Sequence, residues 1–474
     1  MSPRGLREFI GELESGGHLV RLDERVSLDM ELAAVLRRVT YAGGPAVLFT
    51  SIKEGALPAV GNLFGSWERV ALALGADDPY SRLSPVLGGL TARPPSGVLD
   101  AVKSIGELSR ISRIAPKVVR SGPVRDVAWE EIDMSRLPAI RQWPGEPGRF
   151  LTMGVTFVRG DDGSLNFGYY RIQVIGGDRL IMHWMPWRRG AAYGEVKRQV
   201  AISFGPDPVT MLMAGTPVPH PLDKALVTGI VRGEGIELVK GESVDVEYPA
   251  YSELVVEGEL TGEMAMEGPF GDHAGVYSIA KPYPVVRVKA VFSRRDPVIP
   301  VTVTGRPVLE DGNIMRFGER VALALVQQLL PEVVDLHMPP EGLGYLTLVS
   351  VRKRYPGHAK RVAAALWALS PLYHKFVVVV DSDVDLRNTV SVAYAVSANV
   401  DPGRDLQVMD GYPTEELDPS TPTPGFGSKV CVDATRKLPD EYAGREYPGD
   451  LVAPPDVEEI ARRISESILG GRRA

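Results

Sequence analysis

Four short stretches of this 474-residue chain gather side chains that can do chemistry. The first begins at Asn166 and continues through Tyr169, Tyr170 and Arg171 to His183, Trp184, Met185, Arg188 and Arg189. Asn166 and Arg171 flank the entry to an expected strand. Five positions apart, they point to opposite faces of a regular strand, so a turn must bring them together. Arg188-Arg189-Gly190 sits at an expected helix start, where basic side chains and free backbone N–H groups suit a phosphate; a solvated charged turn is the alternative. The second stretch is Gly235-Ile236-Glu237-Leu238-Val239-Lys240. Its Glu237 either faces solvent or serves as an oxygen ligand for Mg²⁺ or Mn²⁺. The third is Glu267-Gly268-Pro269-Phe270-Gly271-Asp272-His273. Its Gly-Pro-aromatic-Gly turn can aim two carboxylates into one cavity, where desolvation pushes their pKa values apart and an arginine between them keeps one ionised. A surface hairpin with acidic flanks is the alternative. The fourth, Tyr355-Pro356-Gly357-His358-Ala359-Lys360-Arg361, is a basic helix start at an active-site edge or an ordinary cap.

Three kinds of element must position these residues. The chain opens with a helix, with Ser2 as cap, Pro3 in the first turn, and Leu6, Phe9, Ile10 and Leu13 on one face; Gly16-Gly17 stops it. A second helix over Met30 to Val39 and a strand over Ala46 to Thr50 complete a small α/β start. From about Val124 to Thr304, short alternating or apolar runs separated by Gly, Pro and Asp predict an antiparallel sheet or barrel. These runs are Thr152–Arg159, Tyr170–Ile175, Leu180–Trp184, Leu254–Gly258 and Val285–Phe292. A helix is expected to interrupt them over Gly190 to Ala201. Beyond Gly305 the period is helical over Arg316 to Leu330. A βαβ-like unit follows, from strand Leu346–Val351 through helix His358–Leu369 to strand Phe376–Val380, the last apolar enough to be buried on both faces. Residues 1–120, 121–305 and 306–474 are the expected domains. After Ala453-Pro454-Pro455, a final helix carries Val457, Ile460, Ile464 and Ile468 on one face. It docks either on another subunit or on its own domain.

Composition narrows the function. A hydrophobic fraction of 44% and a charged fraction of 24% describe a globular chain, long enough for two or three domains. The net charge of −7 argues against a general nucleic-acid binder, which needs a basic face. Residues 1–20 lack the apolar core of a secretory leader, and no apolar run approaches a membrane span, so a cytoplasmic location is expected. The single cysteine, Cys431, excludes an internal disulfide and a cysteine zinc cluster. Arginine outnumbers lysine heavily, which fits a GC-rich genome or a thermophile equally. Motifs of the type G-x-S-x-G, H-E-x-x-H, C-x-x-C and the Walker loop are absent.

In order along the chain, these blocks resemble the UbiD family of decarboxylases. The carrying residues are Asn166-Phe167-Gly168-Tyr169-Tyr170-Arg171-Ile172-Gln173, Thr216-Pro217-Val218-Pro219, Glu237-Leu238-Val239-Lys240 and the Glu267–His273 turn. They continue with Thr304-Gly305-Arg306-Pro307, Pro340-Glu341-Gly342, Tyr355–Arg361, Gly427-Ser428-Lys429 and Asp433-Ala434-Thr435. The resemblance implies a mixed α+β fold in which a central split β-barrel, like that of flavin reductases, is flanked by a small N-terminal and a C-terminal α/β domain. It implies prenylated FMN delivered by a flavin prenyltransferase, a divalent metal (usually Mn²⁺, with K⁺ as a further cation) bridging the cofactor phosphate to the protein, and homo-oligomers, dimeric or hexameric, built partly through the C-terminal region.

Residue by residue, it implies that Asn166 and Glu237 are metal ligands, and that Tyr169, Tyr170, Arg171, His183, Trp184, Met185, Arg188 and Arg189 lie in cofactor-binding segments. Arg171, Glu267 and Asp272 match the family's catalytic network, with Asp272 as proton donor. Trp187 stands where many members carry a third, histidine ligand, and tryptophan cannot ligate. The implied reaction is non-oxidative loss of CO₂ from an α,β-unsaturated acid. One branch, found in archaea, converts trans-anhydromevalonate 5-phosphate to isopentenyl phosphate, and this is the expected substrate. A (polyprenyl-)4-hydroxybenzoate or another aromatic acid is the alternative, and a flavin-binding protein without turnover is the remote one. The Arg171, Glu267 and Asp272 set argues against the last, because a mere binder needs no such trio.

Overall fold

The computed structural model describes residues 2–77, 112–184, 198–218, 222–306, 308–449 and 451–470. The opening helix is Leu6–Ser15 and buries Leu6, Phe9, Ile10 and Leu13, the expected stripe. It starts later than expected. Ser2 does not cap it; its hydroxyl donates to the Leu74 carbonyl at 3.0 Å, and Gly5 holds the cap position without a side-chain bond. The second helix is Glu31–Tyr41. A four-stranded sheet follows in the order Leu19–Leu22, Ala46–Phe49, Ala59–Gly61, Ile299–Val301. Its last strand comes from the far end of the barrel segment and pairs in parallel with Ala59–Gly61. The N-terminal unit is thus tied to the barrel by backbone hydrogen bonds, a long-range pairing that no local pattern announces.

Among the described residues the central sheet has nine strands, eight along one path and Val127–Ala128 paired with Lys281–Ser293 beside it. Its path runs Phe150–Leu151, Ile172–Val174, Arg179–Met182, Lys281–Ser293, Leu254–Glu267, Gln199–Phe204, Val155–Arg159, Leu165–Tyr169. Every pairing along the path is antiparallel, and the two ends do not pair with each other, so the curled sheet is a split half-barrel. Leu180, Met182, Val200, Ile202, Val256 and Val286 are buried together in its core. The expected helix over Gly190 to Ala201 falls mostly outside the described residues. Its end is strand: Gln199–Phe204 lies between Leu254–Glu267 and Val155–Arg159, and a central strand of an antiparallel sheet satisfies its backbone on both sides.

The C-terminal domain has a five-stranded sheet ordered Val333–His337, Leu346–Val351, Phe376–Asp381, Phe426–Asp433, Leu406–Pro413. Leu346–Val351 and Phe376–Asp381 pair in parallel across helix His358–Leu369, giving the βαβ unit, and Val377 to Val380 are buried. Helix Glu310–Leu329 begins six residues before the expected start and joins the domains. Its first residue, Glu310, is buried and accepts from the Phe64 N–H at 2.8 Å and the Thr302 hydroxyl at 2.9 Å. The last helix, Pro455–Gly470, leaves Val457, Ile460, Ile464 and Ile468 between 48% and 61% exposed, so its own domain does not cover its apolar face. Among the described residues no helix is long and apolar enough to cross a membrane.

Candidate active site

Arg171 follows directly on strand Leu165–Tyr169, at the break before Ile172–Val174, and its side chain is 7% exposed. Its Nε and Nη2 donate to the two oxygens of Glu267 at 2.7 and 2.9 Å, a bidentate fork. Nη1 donates to Asp272 Oδ2 at 2.6 Å, and Nη2 also reaches Ser278 Oγ at 2.9 Å. The guanidinium carbon sits 4.9 Å from the centre of the Phe270 ring. Sequence placed the two acids on one turn with an arginine between them, and the structure brings all three together. Gly271 permits the turn: a Cβ there would lie 2.1 Å from Trp143. Gly268, at φ +81°, supplies the left-handed residue before Pro269. The turn is further held by the Gly271 N–H donating to Glu146 at 3.0 Å and by the Thr304 hydroxyl donating to the Gly271 carbonyl at 2.6 Å.

The carboxylates differ in their surroundings. Burial pushes Glu267 upward, but hydrogen bonds from His183 and Arg171 outweigh it and hold the group below its usual range. Burial opposes ionisation of Asp272 as well, yet the adjacent His273 and then Arg171 hold it well below a normal aspartate. His273 answers in the opposite sense. Burial lowers its pKa, while the bond to Asp272 and the charges of Asp272, Asp311 and Glu415 raise it to about 9. Nδ1 of His273 lies 2.8 Å from Asp272 Oδ1. Without a substrate the pair is therefore Asp⁻ with His⁺, and the mobile proton sits on the imidazole. Asp311, raised by burial to about 6, faces the same histidine.

These groups open onto a cavity of about 220 Å³ lined by Thr152, Tyr169, Tyr170, Arg171, His183, Phe270, Asp272, His273, Thr302 and Thr304, and by Tyr373, Glu415 and Leu417 of the C-terminal domain. A larger cavity, about 550 Å³, shares Tyr169, Tyr170 and Tyr373 with it and is also lined by Asn166, Phe167, Gly168, Ala214 to Val218 and Lys224. Its size is that of a cofactor site. The Tyr169 hydroxyl is buried in this region without a hydrogen-bond partner among the described residues, and so is the Trp184 indole N–H. A buried polar group left unpaired costs free energy, so such orphans mark a place for a polar ligand. Trp184 packs edge-on against Tyr170, and His183 bonds Glu267 at 3.2 Å. Met185, Trp187, Arg188 and Arg189 lie outside the described residues.

Asn166 and Glu237 are not brought into one cavity. Asn166 lines the larger one. Glu237 lines another, with Arg232 and Asp207, and is bound by Arg4 at 2.9 Å. Among the described residues no group of three His, Cys, Asp or Glu side chains is placed to hold a metal ion. Lys224 lines the same larger cavity as Asn166. The fourth motif also stays apart. His358 is the first residue of its helix, buried and stacked on Tyr355 at 4.2 Å, an ordinary helix start in the C-terminal domain. Sequence reasoning gave no role to His273, Asp311, Glu415 or Lys224. The only signal for His273 was its adjacency to Asp272; the others reach the site from distant segments.

Three family models match the chain in order. They are the N-terminal domain of the 3-octaprenyl-4-hydroxybenzoate carboxy-lyase family over residues 10–84, its Rift-related domain over 117–307 and its C-terminal domain over 312–434. Among solved structures, the closed form of vanillic acid decarboxylase from Sedimentibacter hydroxybenzoicus is similar at 28% identity, with a TM-score of 0.89 and 99% of each chain covered. Its open form, also at 28% identity, gives a TM-score of 0.79 with 100% of each chain covered. An evolved dimeric form of the UbiD-class enzyme HmfF from Pelotomaculum thermopropionicum, in complex with prFMN, is similar at 27% identity, with a TM-score of 0.78, 96% of this chain and 98% of that chain covered. With matches in family order over all three domains and a buried arginine clamped between two acids at the cavity, the chain belongs to the UbiD family of carboxy-lyases.

Proposed function

We propose that this enzyme decarboxylates a small α,β-unsaturated carboxylic acid with prenylated FMN, the buried Arg171 being shared between Glu267 and Asp272 at the smaller cavity. The observation that carries the reading is this division of one guanidinium. Glu267 takes two of its N–H groups through a fork, and Asp272 takes a third through a single bond, with Asp272 lining the smaller cavity. The relative with prFMN bound supports the cofactor, as does the orphaned Tyr169 hydroxyl at a cavity of suitable size. When bound, the prenylated flavin supplies the electron sink that loss of CO₂ requires.

The residues of this chain do the rest. A substrate carboxylate competes with Asp272 for Nη1 of Arg171 and is thereby oriented. Asp272 then loses its cation and gains a neighbouring anion, and both changes raise its pKa. The proton held on His273 crosses the 2.8 Å hydrogen bond to Asp272, which passes it to the carbon that lost CO₂. Glu267 stays ionised and fixes Arg171. Phe270, Tyr373 and Leu417 exclude water from the exchange.

The finer assignment is trans-anhydromevalonate 5-phosphate. A reacting cavity of about 220 Å³ suits a small acid. A small aromatic acid is the second reading, favoured by the similarity to a vanillic acid decarboxylase. The test is to co-express the chain with a flavin prenyltransferase and follow CO₂ release from trans-anhydromevalonate 5-phosphate, vanillate and 4-hydroxybenzoate in parallel. Release from the phosphate alone supports the first reading, and release from an aromatic acid alone replaces it with the second. Release from none, with prenylated flavin found bound by mass spectrometry, refutes both substrates. Homo-oligomer formation through the exposed face of Pro455–Gly470 belongs to the same proposal. Among the described residues no group of three His, Cys, Asp or Glu side chains stands ready for the Mn²⁺ that the resemblance implies, and Glu237 is engaged by Arg4.

A further inference from the structure

Two of the residues lining the reacting cavity come from one turn of the C-terminal domain. Residues 415–418 form it, with the Asp418 N–H donating to the Glu415 carbonyl at 3.1 Å. The ends of the turn are held within its own domain. The Thr414 N–H donates to the Gly425 carbonyl at 3.0 Å, and the buried Asp418 carboxylate accepts from Lys375 at 2.8 and 3.0 Å. The middle faces two ways. Glu415 and Leu417 line the reacting cavity, while Glu416 between them accepts a hydrogen bond from the ammonium of Lys281 on the barrel. Lys281 opens strand Lys281–Ser293 and is the cross-strand partner of Glu267, the acid that forks Arg171. Tyr283, two residues on and therefore on the same face, packs against His183 with ring centres 4.2 Å apart. One ion pair thus ties the turn to the strand ends that carry Glu267.

We propose that the ion pair between Lys281 and Glu416 holds Glu415 and Leu417 on the reacting cavity, which makes both charged residues positioning residues for the decarboxylation. The inference rests on the reading of that cavity in the preceding section. The side chain of Glu416 is 15% exposed and that of Lys281 39%, so water screens the pair only in part. The bonds at Thr414 and Asp418 fix the turn on its own domain; Lys281 fixes its middle on the barrel, at the level of the catalytic acids. Leu417 so held is an apolar wall beside Asp272, and Glu415 adds to the negative field around His273. Loss of the tie leaves Arg171, Glu267 and Asp272 bonded as they are and loosens only the wall around them. A substrate must then order the turn as it binds, which raises KM and spares kcat.

The experiment follows amide hydrogen exchange of residues 415–418 in the full-length protein. It also measures KM and kcat of the flavin-loaded enzyme with whichever of the three acids above it turns over. Lys281→Met is expected to speed the exchange by about two- to fivefold, the range of a pair partly open to water, and to raise KM by a similar factor with little change in kcat. Lys281→Glu sets two acids face to face and should exceed both effects. Adding Glu416→Lys to it restores opposite charges and should return exchange and KM to near the wild-type values. Lys289→Met removes a lysine of the same strand, 3.8 Å from Glu259, and should change neither. Unchanged exchange in Lys281→Glu, no restoration in the charge-swapped double variant, or an equal effect of Lys289→Met overturns the assignment. Turnover of none of the acids refutes the preceding reading, and the exchange rates then decide the ion pair on their own.

Discussion

If His273 stores the proton that Asp272 delivers, its titration must depend on Asp272. In the intact site the imidazole is raised from 6.5 to about 9, against the pull of its own burial. Replacing Asp272 by Asn removes the charge-assisted bond at 2.8 Å and leaves burial in command. The imidazole pKa is then expected to fall to about 6.5 or below, a drop of more than two pH units. At about 1.4 kcal/mol per unit this corresponds to a coupling of about 3 kcal/mol between the two side chains. Two assays read it. NMR titration of histidine-labelled protein should place the His273 midpoint near 9 in the wild type and at or below 6.5 in Asp272→Asn. With a turned-over substrate, wild-type kcat should be level through pH 7–8 and fall above about pH 9, because the protonated imidazole is the form that supplies the proton. In His273→Gln that alkaline limb should vanish and the rate should drop by about 10²–10⁴-fold, the usual worth of general acid catalysis. A His273 midpoint near 6.5 in the wild type, or an alkaline limb unchanged in His273→Gln, would refute the relay.

Arg171→Lys keeps the charge but loses the fork to Glu267 and the bond to Asp272, and should lower kcat/KM by about 10²-fold or more, the scale of a lost orienting contact, while flavin absorbance is retained. Gly271→Ala drives a methyl to 2.1 Å from Trp143 and should destabilise the protein by about 1–3 kcal/mol or more, read as a lower Tm with reduced activity; an unchanged Tm would show that the turn relaxes freely. The pair Ile460→Glu and Ile464→Glu, on a helix face about half exposed in the single chain, should shift the protein toward monomer in light scattering without lowering the Tm of its core. Asp272→Asn should abolish turnover yet leave flavin loading near that of the wild type by absorbance.

The sequence determined by itself the elements whose signal is local. The stripe of Leu6, Phe9, Ile10 and Leu13, the βαβ unit around His358–Leu369, and the antiparallel runs of the barrel all follow from hydrophobic period and turn residues. For Glu267 and Asp272 the residues alone left a shared cavity and a surface hairpin both open, the family resemblance implied Arg171 as their partner, and the structure brings the three together. Tertiary structure decided what depends on distant segments. Ile299–Val301 becomes part of the N-terminal sheet because a parallel partner is open there, and Gln199–Phe204 becomes strand because both neighbours offer backbone partners. Only packing drew Glu237 to Arg4. Only packing, too, placed Asp272 between Arg171 and His273, and that placement, not the residue type, sets which group carries the proton. A side chain's charge state is fixed by its burial and its neighbours in space, and these are quantities a one-dimensional pattern does not contain.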